Sequence, residues 1–226
     1  MQLGGVIHEY PMLIPIVGRF GIRLGVGEKS IGEIAAEYGV DADFLVMVLN
    51  TYLNESYFPE QKLRLFHVSQ IVDYLTKTNA YYLKFQLPNI EKHLKAFIAS
   101  SPKNTRSLDM LAGLLDSFTA ELKARIARDT EVDFPGFLAL GRQCAGGTVG
   151  AGAMGAGAVP EDNAELLLAD MQNILIRFLA GDYNENLCYA VIFALNSMER
   201  DVRQHNRIRH RILYPIVEAM RQNAGR

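Results

Sequence analysis

The apolar residues of this chain recur at steps of three and four over most of its length, and that period restricts the fold more than any other feature. Between Ser69 and Ser100, Ile71, Val72, Leu75, Tyr82, Leu83, Leu87, Ile90, Leu94 and Phe97 mark one helical face, where a strand would alternate. Pro88 interrupts the stretch, which predicts a kink or break there with Pro88 in the first turn of the continuation. A second helix is predicted from Ser107 to Leu140, with Leu108, Leu111, Leu114, Leu115, Phe118, Leu122, Ile126, Phe134, Phe137 and Leu138 inward and Pro135 bending its end. A third runs from Glu161 to Leu179 on Leu166, Leu167, Met171, Ile174, Leu175 and Phe178, opened by Pro160 and Asp162 and stopped by Gly181. The fourth spans Asn186 to Met220. Four amphipathic helices in succession with no hairpin signal predict an all-α fold, an up-down four-helix bundle over residues 61–226.

Residues 1–60 read as a separate small helical module with an irregular start. Ser30 is an N-cap with Glu33 three residues on, the spacing of a capping box. Ala35 falls inside a short helix, Gly39 at a turn, and Leu45 and Val48 inside a second helix, which is helix-turn-helix spacing. A DNA reader would place that second helix in the major groove. Its expected outward positions, Asp41, Asp43, Met47 and Asn50, include no Arg or Lys to meet phosphate or guanine, so a packing module is the stronger expectation.

Composition narrows the function. With 23 basic and 25 acidic side chains in 226 residues the net charge is −2, which argues against a broad nucleic-acid surface. The longest apolar runs are broken by Gly or charge well short of the roughly 18 residues a membrane span needs, and a cytoplasmic protein is expected. Cys144 and Cys188 form no C-x-x-C pair, so neither a disulfide scaffold nor a thiolate metal site is signalled. Residues 146–159 read GGTVGAGAMGAGAV, a loop whose Gly150, Gly152 and Gly155 match the dinucleotide-binding spacing without the strand before and the helix after that the motif requires.

Two stretches, RFGIRLGVGEKSIGEIAAEYGVDADFL near the start and HNRIRHRILYPIVEAM near the end, resemble the hemerythrin-like proteins related to iron-sulfur cluster repair, in particular a bacterial branch with a leading helical module. YLTKTNAYYLKFQLPNI, DFPGFLAL and DMQNILIRFL extend the resemblance over most of the chain. It implies an antiparallel bundle that binds two irons through inward histidines and carboxylates, several at H-x-x-x-E spacing, because residues four apart share a helix face. The Cys pair often carried by the leading module is replaced here by Arg23, Leu24, Gly25 and Val26.

Carried over position by position, the resemblance places Asn79 where the first helix would hold His, and Arg125 and Asp129 where the second would hold His and Glu. Glu161 stands for the His of the third helix, His205 is kept in the fourth, and its partner Glu has become Arg209. Arg stays protonated and cannot donate a lone pair to iron. The expectation is therefore an ion-pair core in which Arg125 and Arg209 face Asp129 and Glu161. The alternative is a residual site for Fe, Mn or Zn on His205, Asp129 and Glu161, with Asn79 as a weak oxygen ligand.

Arg200, Arg203, Arg207, Arg209 and Arg211 make the last helix the one concentrated basic stretch, with Arg203, Arg207 and Arg211 at four-residue steps as an exposed ridge. Glu199 and Asp201 supply part of its counter-charge. No Ser/His/Asp or Cys/His arrangement supports hydrolase chemistry. The function expected is a non-enzymatic regulatory or binding protein without a cofactor, contacting a protein partner or DNA. The alternatives are an iron-binding protein of cluster repair or nitrosative and oxidative stress, and a DNA-binding regulator acting through the N-terminal module.

Overall fold

The computed structural model describes residues 1–224 apart from 55, 58, 60–61, 63–65, 102–105, 144–162 and 180. The Gly-rich segment, Cys144 and Glu161 lie outside the described residues, and so do the expectations placed on them. Everything regular among the described residues is helical, and the only β contact is an isolated bridge between Gln2 and Ser30.

The N-terminal region is helical from the start rather than irregular: α1 covers Leu3–Glu9, a 3₁₀ turn covers Pro11–Leu13, and α2 covers Ile14–Arg19. Pro11 and Pro15 explain this, since each stands in a first turn, where its missing N–H has no acceptor to lose. The helix α3, Ile31–Glu37, opens on the expected capping box. The Glu33 N–H donates to Ser30 Oγ at 3.2 Å, and the Ser30 N–H donates to Glu33 Oε2 at 2.7 Å. Gly39, at φ +64°, makes the turn into α4, Ala42–Leu53, which Asp41 caps through the Phe44 N–H.

Four longer helical runs follow, and each contains one π turn. The first is α5, Val68–Tyr81, a π turn at Tyr82–Gln86, and α6, Leu87–Ser100. The second is α7, Arg106–Arg128, a π turn at Asp129–Asp133, and α8, Phe134–Gln143. The third is α9, Ala164–Asn173, ending in a π turn at Ile174–Phe178, and the fourth is α10, Glu185–Ile208, a π turn at Arg209–Leu213, and α11, Tyr214–Ala224.

Three of these turns have one cause. Pro88, Pro135 and Pro215 each come two residues after a π turn, so the carbonyl four residues before each proline belongs to the residue at the centre of that turn: Lys84, Glu131 or Arg211. A proline donates no hydrogen bond to that carbonyl, and its ring pushes against it. Widening the turn relieves the clash. The residue before each proline then bonds five back, Leu87 to Tyr82, Phe134 to Asp129 and Tyr214 to Arg209. Pro88 interrupts its helix as expected; Pro215 does the same in the fourth run, a wide turn that the apolar period there did not reveal.

The chain forms two compact units that do not part at residue 60. The first comprises Met1–Thr78, the described residues of Phe137–Gly157, and Arg207–Arg226; the second comprises Asn79–Gly136 and the described residues of Ala158–Asn206. In the first unit, Leu13, Val17, Phe44, Leu45, Val48 and Ile71 are among the buried apolar side chains. Arg19 is buried with them, donating to the Tyr52 hydroxyl at 2.9 Å and the Tyr74 hydroxyl at 3.3 Å, while Phe20 stacks on Tyr74.

In the second unit four helical segments share one hydrophobic core, built from Ile90, Leu94 and Phe97, Leu111, Leu115 and Phe118, Leu168 and Met171, and Val191, Leu195 and Met198. Ser107 Oγ donates to the Phe178 carbonyl at 2.9 Å, and the Asn163 N–H donates to Glu121 Oε1 at 2.7 Å, so α7 and α9 run antiparallel. Along α9 and its π turn the buried stripe is Ala164, Leu168, Met171, Ile174 and Leu175; Leu166 and Phe178, expected among the apolar markers of this helix, are exposed.

Candidate functional site: a buried polar centre in the second unit

A core of this kind buries polar groups only where partners satisfy them. The second unit buries several: Asn79, Gln86, Asp129, Asp201, Gln204, His205 and Asn206. Asn79 comes from the last turn of α5, and Asp129 opens the π turn after α7. Asp201 and His205 are one turn apart on α10, and i, i+4 residues share a helix face.

Asn79 Nδ2 donates to Asp129 Oδ2 at 3.0 Å, so two of the expected positions, 50 residues apart, meet directly. Asn79 Oδ1 is buried with no hydrogen-bond partner among the described residues. His205 is buried beside Tyr82, ring centroids 5.6 Å apart, and the Tyr82 hydroxyl donates to Asp201 Oδ1 at 3.2 Å. Tyr82 was expected only as an apolar marker of its helix and Asp201 only as counter-charge to the basic stretch, but Asp201 is buried and accepts from Tyr82 instead. Their signal was faint: an acid four residues before the one retained histidine.

Arg125 Nη1 donates to Asn206 Oδ1 at 3.1 Å, and Asn206 Nδ2 donates to Glu165 Oε1 at 2.8 Å. One amide thus links a guanidinium on α7 to a carboxylate on α9. Glu165 also lies 3.9 Å from Arg203, which pairs with Glu199 one turn earlier on its helix. Arg209 belongs to the first unit, where it donates to the Tyr214 hydroxyl at 2.6 Å with its guanidinium 5.5 Å from that ring's centroid.

These residues do not fit a di-iron centre. A dinuclear site needs carboxylate and imidazole lone pairs converging on the metals. At position 79 an amide presents an N–H to the Asp129 carboxylate, and at position 125, where the resemblance would put a ligand, stands a permanent cation. No three His, Cys, Asp or Glu side chains among the described residues cluster as metal ligands would.

Two other expectations change. Met47, expected to face outward on the second helix of the module, is buried, and so are Phe44, Leu45, Val48, Leu49, Thr51 and Tyr52. The residues of α4 that stay exposed or half-buried, Ala42, Asp43, Val46, Asn50 and Leu53, include no basic side chain. Arg207 is not part of an exposed ridge: it is half-buried and donates to the carbonyls of Thr51 at 2.9 Å, Asn54 at 3.3 Å and Tyr57 at 3.0 Å, tying down the end of α4. Among the described residues no helix is long and apolar enough to cross a membrane.

In comparisons with protein-family models, curated proteins and solved structures, nothing matches this chain.

Proposed function

We propose that this protein is a hemerythrin-like four-helix bundle in which hydrogen bonds and ion pairs have taken the place of two irons, and that it works without catalysis as a binding or regulatory protein. The observation that carries the reading is the 3.0 Å bond from Asn79 to Asp129, at two positions the resemblance assigns to iron ligands. It directs an N–H, not a lone pair, at the carboxylate. The Arg125, Asn206 and Glu165 chain supports the same reading, since it supplies internally the positive charge that metals would bring.

The test is the metal content of protein purified from iron-supplemented cells, with His205→Ala prepared alongside and its fold checked by circular dichroism. The expected result is no stoichiometric metal in either protein. Near-stoichiometric iron in the wild type that is lost in His205→Ala overturns the proposal. It would restore an iron-binding role, in cluster repair or the stress response, through a rearranged site on His205 and the acids.

A further inference from the structure

The antiparallel pair α7 and α9 leaves an open groove of about 630 Å³ on the second unit. Its apolar surface comes from Met110, Gly113 and Leu114 on one side and Ile174 and Phe178 on the other. Phe178 is 64% exposed and Met110 is 50% exposed. The volume falls within the roughly 300–1,000 Å³ of sites for small organic ligands, which combine an apolar lining with a few placed polar groups.

The polar groups here are Ser117, whose hydroxyl donates to the Gly113 carbonyl at 2.9 Å, and Asp170, Asn173 and Arg177, which follow one another along α9 and its π turn at helical spacing. None of Asp170, Asn173 and Arg177 has a side-chain hydrogen-bond or ion-pair partner among the described residues. Asn173 and Arg177, one turn apart, offer amide and guanidinium donors at the Phe178 end. Asp170 stands two turns from Arg177, roughly 10 Å along the axis, and would repel a second anion.

Gly113 is the smallest residue lining the groove. It lies inside the long helix α7 without the positive φ that would call for glycine, and an added Cβ would meet nothing within 4 Å. Glycine in an exposed helix interior lowers helix stability relative to alanine. Gly5, Gly18, Gly32 and Gly136 share that open setting, so what sets Gly113 apart is its place in the groove lining.

We propose that this groove binds a small anionic amphiphile, its apolar body lying over Gly113 between Met110 and Phe178 and its acidic head held by Arg177 and Asn173. The inference stands whether or not the buried polar centre holds metal. Because the chain has no Trp to report binding, the test is isothermal titration calorimetry with decanoate below its micelle concentration, and with decanol and decyltrimethylammonium as neutral and cationic controls. Decanoate is expected to bind at one equivalent, more tightly than either control. Arg177→Gln should weaken it at least about tenfold while leaving decanol unchanged. Gly113→Leu should remove binding while the melting temperature holds or rises, which separates a filled groove from a damaged fold. Absence of saturable binding, preference for the cation, or undiminished binding to Gly113→Leu each overturns the proposal.

Discussion

Removing Asn79 tests the buried centre at its most specific point. The Asp129 carboxylate is fully buried and accepts from Asn79 Nδ2 at 3.0 Å. A hydrogen bond to a charged group contributes about 1.5–3 kcal/mol, and loss of the donor leaves the carboxylate less well solvated by the protein. For a chain of this size each kcal/mol moves the melting temperature by roughly 2–4 °C, so Asn79→Ala should lower it by roughly 3–12 °C. Asp129→Ala should cost more, about 3–5 kcal/mol, because it removes a buried charge from its setting and opens a cavity. Asp129→Asn should fall between, since it keeps an acceptor oxygen but not the charge. The decisive quantity is the coupling in the double-mutant cycle of Asn79→Ala and Asp129→Ala, measured by urea unfolding. A direct bond predicts about 1.5–3 kcal/mol, the same with and without a chelator, whereas independent sites add to within about 0.5 kcal/mol. Coupling at that lower level refutes the bond, and coupling that vanishes in chelator shows that a metal joined the two residues.

Three further outcomes follow from local geometry. Glu33 is held below its usual carboxyl pKa by hydrogen bonds from the Ser30 backbone and then the Ser30 side chain. A depressed folded pKa gives stability that is present above the unfolded value, about 4.3, and lost as pH falls through the folded one, so the advantage of wild type over Glu33→Gln should shrink in that acid range. Burial raises the thiol pKa of Cys188, so mass-spectrometric mapping of alkylation at pH 7 should show this site slow in native protein and fast in denaturant; equal rates would contradict the packing around it. Two helical glycines should respond with opposite signs: Gly113→Ala should stabilise by about 0.5–1 kcal/mol, whereas Gly141→Ala should destabilise by about 1–3 kcal/mol, because its Cβ would lie 2.6 Å from Val68 Cγ1. Thermal melts of the two variants read both signs.

What was legible in the sequence was local. The Ser30 and Glu33 capping box and the turn at Gly39 need only residues a few places apart, and both are found where they were expected. The helical period gave four long helices, but it assumes one buried and one solvated face. Met47 breaks the assumption because α4 buries seven of its twelve residues, and Leu166 and Phe178 break it because the shared core takes only the narrower stripe of Ala164, Leu168, Met171, Ile174 and Leu175. The apolar residues left over on α9 are what a period count cannot assign, and Phe178 among them lines the groove.

The buried centre shows the same limit at long range. The resemblance singled out positions 79, 125, 129 and 205 for inspection, yet what each side chain does depends on a partner no local pattern contains. Asn79 reaches Asp129 across 50 residues, Arg125 reaches Asn206 across 81, and Tyr82 reaches Asp201 across 119. Arg125 was expected to face Asp129 or Glu161, because charge alone suggests carboxylates as its partners. The bond it makes to Asn206 links the half-buried guanidinium through that amide to Glu165. If the centre is a structural replacement for metal, the bond to be tested first is therefore the one from Asn79, since it joins two of the positions at which the resemblance places iron ligands.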